Sequence, residues 1–435
     1  MKKISLLLLF IALSIFSSKA SDDLYTLNRQ KLMQSINDGI ILIPATKDLN
    51  SWGSDKNFLY LTGFNAPGAI LALNPNDEKE ILFISENAKN DIPVNCSIET
   101  QPLNNINEFL KKCSKLYIPI NRMQEFTEIL GNNNIFRSIN YISNINPIIY
   151  NMRLLKSNEE VVLIEKAINL TGIALNEAFK QSKTGNREVD IYAQIEYQAI
   201  KHGVKTSFYQ IASGPNSTNV HFDYTERLVK AKETIVFDLG IFYKNYTSDI
   251  SRTFPVDGKF TKEQKLIYNV VLKAQKVGIS KMLTNATHDY VEKKVKDELA
   301  KGLYELGLMT DSTSNWQREF YIQHGFSHGI GLDVHDIYYY FKSLPERKYA
   351  TGMVYTMEPG LYFPEDMIKS IPERLKGKVS EEEFKQFARK VGEIYKKYIN
   401  IGVRIEDDIL ITENGNRNLS ESIPKEIEDI EKIIR

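Results

Sequence analysis

His324-Gly325-Phe326-Ser327-His328-Gly329-Ile330-Gly331-Leu332-Asp333-Val334-His335-Asp336 holds three of the chain's six histidines and three glycines. His324 and His328 stand four residues apart, the spacing of a helical zinc motif. The glycines disfavour a helix here, and no Glu follows the first His, so that reading fails. A Gly-rich bend feeding a strand over Ile330–Val334 fits better. Glycine lets backbone approach closely, and imidazoles clustered beside it mark a site rather than a core.

Acidic segments on either side supply partners for those imidazoles. Thr234–Gly240 reads as a strand and Asn245–Phe254 as its return. A hairpin turning around Tyr243-Lys244 would set Asp238 directly opposite Asp249, with Cβ atoms about 4.5–5.5 Å apart. Val354–Met357 is a strand that delivers Glu358 to its mouth, before Pro359-Gly360. In Gly402–Ile411, Val403 and Ile405 face one way, and Arg404, Glu406 and Asp408 the other. An inward Glu needs a cation, and Arg404 can orient it or bind a substrate oxygen.

Asp238, Asp249, His328, Glu358 and Glu406 together bring four carboxylates and one imidazole. Left unpaired, converging carboxylates repel, and some must take up protons. Two divalent cations about 3.5–4 Å apart would neutralise the set and activate a water near neutral pH. The expectation is a two-metal hydrolase. Its oxygen-rich ligands favour Mn2+, with Zn2+ or Co2+ also able to bind. His335 with His221 would hydrogen-bond the carbonyl oxygen as it gains charge. Glu358 would carry the proton to the leaving nitrogen.

The rest of the chain frames that site. At 435 residues two domains are expected. Lys+Arg and Asp+Glu balance at 55 each, so no basic field points to nucleic acid. Lys2 and Lys3 precede the apolar run Leu6–Phe16 and the small residues around Ala20. Residues 1–20 therefore read as a signal peptide, with the mature chain exported to a periplasm or secreted. The run is too short for a lasting membrane span, so no stable insertion is expected after cleavage. Cys96 and Cys113 carry no catalytic expectation, although an oxidising compartment would let them pair.

Residues 21–152 alternate short apolar runs with polar turns: Gly39–Pro44, Phe58–Leu61, Ala69–Leu73 and Ile81–Ile84 read as buried strands. Asn107–Lys112 and Met123–Leu130 suit intervening helices, making a small α/β domain. From residue 153 to 435 helices are expected over Leu154–Lys180, Arg187–His202, Lys262–Met282 and Asp289–Leu306. In the first of these Val161, Ile164, Ile168, Ile173 and Leu175 recur at helical spacing, behind an N-terminal Ser157-Asn158-Glu159-Glu160. With the motif strands between them, this half is an α+β catalytic domain.

The order of Asp238, Asp249 eleven residues on, the His324–Asp336 segment, Met357–Tyr362 and Gly402–Asp408 resembles the pita-bread (creatinase/aminopeptidase-like) metallopeptidases. Within them it is most similar to the Xaa-Pro aminopeptidases, with weaker likeness at Ile211–Asn216 and Asn57–Asn65. The resemblance implies a two-domain subunit that assembles as a homo-oligomer, dimer or tetramer. It also implies a dinuclear site, commonly filled by manganese, that removes an N-terminal residue preceding proline. Asp238, Asp249, His328, Glu358 and Glu406 would then be metal ligands. His221, His324 and His335 would line the substrate site, with Arg404 beside them. Two other outcomes are a proline dipeptidase and a scaffold that keeps the fold without the chemistry. Gly329 stands where some relatives carry a bulky residue, and Glu365–Tyr398 looks like an inserted helical pair.

Overall fold

The computed structural model describes residues 24–46, 55–130 and 139–433. The segment read as a signal peptide, residues 1–20, lies outside them. Among the described residues, no helix is long and apolar enough to cross a membrane. The chain divides into two compact units: one runs to Leu154 and takes in Asn158–Glu160, the other holds Leu155–Ser157 and Val161–Arg435.

The N-terminal unit is built on a six-stranded mixed sheet. Its strands are β1 (Ile40–Pro44), β2 (Ile70–Asn74), β3 (Lys79–Ile84), β4 (Glu99–Pro102), β5 (Lys115–Ile118) and β6 (Tyr141–Asn144), in the order β4-β3-β2-β1-β5-β6. Ile40, Leu42, Phe83, Leu116 and Phe126 meet in its core. Phe58–Leu61, expected as a strand, lies inside the helix Lys56–Thr62. The Asp55 carboxylate caps that helix by accepting from the Asn57 and Phe58 amides, and left-handed Gly63 ends it. All four residues of the run are buried, so hydrophobic periodicity could not tell helix from strand. Cys96 and Cys113 are both free thiols, the latter buried in the core.

The second unit contains helices α1 (Asn158–Gln181), α2 (Glu188–Lys201), α3 (Lys262–Lys281) and α4 (His288–Glu305). Leu154 belongs to a preceding helix, Asn146–Leu154, and Ile173 points to solvent, whereas Ile164, Ile168 and Leu175 are fully buried. The expected helical pair over Glu365–Tyr398 is one α-helix, α5 (Glu381–Tyr395), capped by Ser380 and preceded by turns. Pro372 and Gly377 in the first half oppose a second helix. The apolar face of α5 packs on Trp316, Phe320 and Phe363, with ring centroids 5.0–5.5 Å from Phe387 or Tyr395.

Nine strands carry the site. β8 (Thr234–Tyr243) pairs with β7 (Lys205–Ser213) on one side, and with β9 (Tyr246–Thr247) and β10 (Ile250–Pro255) on the other. Its hairpin turns at Lys244-Asn245, both in the left-handed region (φ 46° and 74°), one residue later than expected. Two successive positive φ values make the tight turn that matches strand twist. Asp238 therefore faces Ser251, and Asp249 falls in the break between β9 and β10. The slip along the return strand is two residues, so Asp249 keeps the parity that places it on the same face as Asp238.

β11 (Val354–Met357) pairs antiparallel with β14 (Asp407–Thr412), which continues into β15 (Gly415–Asn418). β12 (Gly360–Tyr362) pairs with β13 (Gly402–Arg404). These two ladders share one register, interrupted where Pro359 has no N–H to give. Glu358 and Glu406 fall opposite each other in that interruption. Residues 401–409 are buried throughout, so this segment has no exposed charged face.

The Gly-rich segment differs from the expected strand over Ile330–Val334. Residues 326–330 run beside β11, with bonds from Glu358 N to Phe326 O, Thr356 N to His328 O and Ile330 N to Val354 O. Residues 331–337 turn back, and the Asp336 N–H reaches Gly329 O at 2.8 Å. A Cβ at Gly329 would meet that same Asp336 carbonyl at 2.7 Å, so the turn excludes a side chain there. The buried pair of Lys156 Nζ and Asp336 Oδ2, 3.1 Å apart, holds the turn in place.

Gly402 tests how tightly the site is framed. A Cβ there would stand 1.8 Å from the Ser217 carbonyl oxygen, which is backbone and cannot rotate away. Gly402→Ala should lower unfolding free energy by at least about 1–3 kcal/mol, the scale of overpacking. Gly392→Ala, in α5 with nothing within 4 Å, should hold or raise it. Urea midpoints of the two variants check this, and an unchanged midpoint for Gly402→Ala would contradict it.

Candidate metal centre

Asp249, His328 and Glu406 each offer a ligand atom within 4.8 Å of the other two, and all three side chains are buried. His328 Nε2 lies 3.4 Å from Asp249 Oδ2, 3.3 Å from Glu358 Oε1 and 3.9 Å from Glu406 Oε1. His328 Nδ1 sits 3.2 Å from Gly329 O. A carbonyl only accepts, so Nδ1 carries the proton and the Nε2 lone pair looks into the carboxylates. Asp249 Oδ1 and Glu406 Oε1 are buried and have no hydrogen-bond partner among the described residues. Buried acceptors without donors beside a bare nitrogen lone pair fit a cation and little else. The residues present therefore fit divalent metal.

Asp238 completes the ring from mid-β8. Its Oδ1 is 2.9 Å from Ser251 Oγ, and Ser251 Oγ lies 2.7 Å from Glu406 Oε2. One hydroxyl proton cannot serve both carboxylates, so Ser251 bridges them best when one is protonated or metal-bound. Arg404 Nη2 donates to Asp238 Oδ2 at 2.5 Å. The other Arg404 N–H groups reach Ser251 Oγ, Val220 O, the Tyr362 hydroxyl and Gln210 Oε1, the longest at 3.4 Å. All five guanidinium N–H groups are thus occupied by protein. Of the two roles open to Arg404 from sequence, the geometry favours orienting the carboxylates over binding a substrate oxygen.

The other histidines divide in the same way. His324 Nδ1 donates to Gly325 O (2.7 Å), so Nε2 accepts from the Tyr362 hydroxyl (2.9 Å), which in turn accepts from Arg404. Nδ1 also lies 3.8 Å from Glu358 Oε2. Burial lowers the His324 pKa, which keeps the ring neutral in this chain of bonds. His335 is exposed at the rim, its ring centroid 4.1 Å from that of His328. Packing around its base and the His328 imidazole push its pKa down to about 4. His221, also exposed, lowers it further.

The carboxylates show the strain of sharing one pocket. Burial and mutual repulsion drive Asp249 and Glu406 well above the usual carboxylate range. Asp408, whose Oδ2 accepts from the Asp249 amide, is pushed up to about 8, chiefly by burial. Glu358 goes the other way despite burial, to about 2, because it bonds to His328 and faces His324 and Arg404. His328 is raised in spite of burial by Glu358. Sequence reasoning missed Ser251, Gln210 and Tyr362. Tyr362 and Ser251 sit inside segments already singled out, Met357–Tyr362 and Asn245–Phe254, whereas Gln210 is brought to the site by the pairing of β7 with β8.

A model of metallopeptidase family M24 matches residues 162–413, and a model of the aminopeptidase P N-terminal domain matches residues 25–92. The chain belongs to metallopeptidase family M24, with an N-terminal α/β domain ahead of a pita-bread catalytic domain. Its particular likeness is to Xaa-Pro aminopeptidases. That of Haemophilus influenzae is 32% identical over 404 residues, covering 87% of this chain and 88% of the relative. That of Escherichia coli is 28% identical and covers 96% and 98%. The solved proline aminopeptidase P II from Yersinia pestis matches with a TM-score of 0.79 at 26% identity, over 95% of this chain and 99% of that one.

The raised groups set a pH dependence for the metal-free protein. A carboxylate whose folded pKa exceeds its unfolded value binds its proton more tightly when folded, so stability falls as pH rises toward the folded pKa. Between pH 6.5 and 8 Asp408, Asp249, Glu406 and His328 all act in this direction. His324 and His335, which are depressed, act only below that window. Chelator-treated protein should melt at a lower temperature at pH 8 than at pH 6.5, and divalent metal should remove most of the difference. Equal melting shifts on metal addition at both pH values would contradict this.

Proposed function

We propose that this chain hydrolyses the peptide bond between an N-terminal residue and a following proline. The observation that carries the reading is the pair of partnerless buried oxygens, Asp249 Oδ1 and Glu406 Oε1, converging on His328 Nε2. Asp238, Asp249, His328, Glu358 and Glu406 would hold two divalent cations, which supply carbonyl polarisation and a water-derived nucleophile near neutral pH.

The chain's own groups divide the remaining work. Glu358 would take up at its carboxylate the proton given up by the attacking water and pass it to the proline nitrogen as the bond breaks. His335 and His221, free at the rim, donate hydrogen bonds to the carbonyl oxygen as it gains charge. His324 and Arg404, with their nitrogens already bonded, fix Tyr362, Asp238 and Ser251 in place and act as positioning residues. A proline nitrogen carries no N–H, so a cleft that binds substrate as a β-strand cannot hold it and a dedicated pocket is required.

The same reading takes manganese as the working metal, because four of the five donors are carboxylates. It takes the chain to be exported, on the charged and apolar pattern of residues 1–20. Assembly as a dimer or tetramer belongs with it. A panel of Xaa-Pro-Xaa tripeptides and Xaa-Pro dipeptides, with added Mn2+, tests the activity. Release of the first residue from the tripeptides is expected. Cleavage of dipeptides alone would make the enzyme a proline dipeptidase, and no cleavage of either would sink the proposal.

The histidine roles are separable on the same substrates. His328→Ala should lose bound metal and turnover together. His335→Ala should keep its metal while kcat falls on the order of 10²–10³, the cost of a lost oxyanion donor. Metal content and kcat on both variants decide it, and equal metal loss in the two would show that His335 has been misplaced.

A further inference from the structure

The buried side chain of Glu188 takes no part in the steps above, yet it is tied to the loop that carries His221. Glu188 opens α2 and is fully buried. Its Oε1 accepts from the Ser213 amide (2.8 Å), the Ser213 hydroxyl (2.7 Å) and Asn216 Nδ2 (3.1 Å). Its Oε2 accepts from the Thr225 amide (3.0 Å), the Thr225 hydroxyl (2.6 Å) and, at 3.2 Å, the same Asn216 group. One carboxylate thus grips both ends of the segment from Ser213 to Thr225, the end of β7 and the start of the return.

Charge and packing support that grip. Arg227 Nη1 donates to the Ser213 hydroxyl at 2.7 Å, so a cation stands one hydrogen bond from the buried charge. Beside Thr225, the Tyr224 ring stacks on Tyr192 of α2, centroids 4.3 Å apart and 12° from parallel. Tyr192 also lies 4.1 Å from Tyr209 of β7. At the middle of the segment the Val220 carbonyl accepts from Arg404 Nη1 at 3.0 Å. His221 follows Val220 directly. It is exposed, so burial does little to fix its position.

We propose that Glu188 is a positioning residue for the reaction: by clamping residues 213 and 225 it fixes the loop that presents His221 to the carbonyl oxygen. This rests on the peptidase reading above for its kinetic consequence, but not for its structural one. A buried carboxylate that accepts on both oxygens cannot be replaced by an amide, which turns one acceptor into a donor. Glu188→Gln would set its NH2 against the donors of either Ser213 or Thr225 and release that end of the loop. A shift of about 1 Å at a reacting group can cost 10²-fold in rate.

The test measures loop order and turnover separately, on the full-length metal-loaded enzyme. Hydrogen exchange of the amides in residues 214–224 should quicken at least about tenfold in Glu188→Gln, with metal content unchanged. Its kcat on an Xaa-Pro-Xaa peptide should fall by roughly 10–10²-fold with a smaller change in KM. In a His221→Ala background the same substitution should cost little more, since the group it positions is gone. Thr225→Val, which keeps the carboxylate and removes one donor, should move exchange and kcat the same way by less. This milder variant decides the question if Glu188→Gln fails to fold. Unchanged exchange in 214–224, or losses that multiply in the double variant, would overturn the proposal. If the wild-type enzyme proved inactive on proline peptides, the peptidase reading would fall and loop exchange alone would decide Glu188.

Discussion

Four carboxylates drawn into one buried space around a single imidazole are the constraint on which the rest of this molecule depends. In a low-dielectric interior such a group cannot stay fully ionised without cations, and Asp249 and Glu406 respond by rising well above the usual carboxylate range. Folding alone would not assemble it, because each buried charge opposes collapse. The surrounding sheet must therefore be stable enough to hold the carboxylates together before any ion arrives. Arg404 offsets part of the repulsion through Asp238, and His328 offsets part through Glu358 when protonated at both ring nitrogens.

The strands meet this demand by breaking at three of the acids. Asp249 lies between β9 and β10, Glu358 between β11 and β12, and Glu406 between β13 and β14. At each break the ladder bonds are suspended, and side chains can converge from strands that otherwise only pair. Pro359 enforces one break by removing a donor, and the shared register of the flanking ladders puts Glu358 opposite Glu406. Beneath these breaks lies a second layer of charge. Arg252 donates to Asp407 and to the Glu406 carbonyl, and Gln275, Asn418 and Ser420 also bond to Asp407. Arg252 and Lys425, both paired with Asp407, hold its pKa low despite burial, and the network anchors the strand that delivers Glu406.

The site has two kinds of histidine and they differ by accessibility. His324 and His328 are held with protons assigned by neighbouring carbonyls, one completing a hydrogen-bond chain and the other exposing a lone pair. His221 and His335 stand at the rim, where a substrate can reach them. This division follows from which ring nitrogens find backbone acceptors, a matter of a few ångströms in the Gly-rich turn. Gly329 and Gly331 permit that turn because Asp336 occupies the space where their side chains would lie.

The candidate site was legible in the chain because acids placed within apolar strands, and histidines within a glycine run, have few other uses, and the fold brings Asp249, His328 and Glu406 together. The helices over 158–305 were legible from periodicity, as was the parity of Asp238 and Asp249. The hairpin register was not, since two left-handed residues at Lys244-Asn245 decided it, and Phe58–Leu61 was misread because an all-buried run has no period to reveal its form. Ser251, Gln210, Glu188 and the saturation of Arg404 were invisible for another reason. Their partners lie between 12 and 194 residues away along the chain, and a short polar side chain declares nothing until the fold supplies its neighbour. Sequence alone marked out which groups are candidates for the chemistry, because that depends on residue type. Only the tertiary structure decided which of them are free to act and which are held, because that depends on where each hydrogen bond ends.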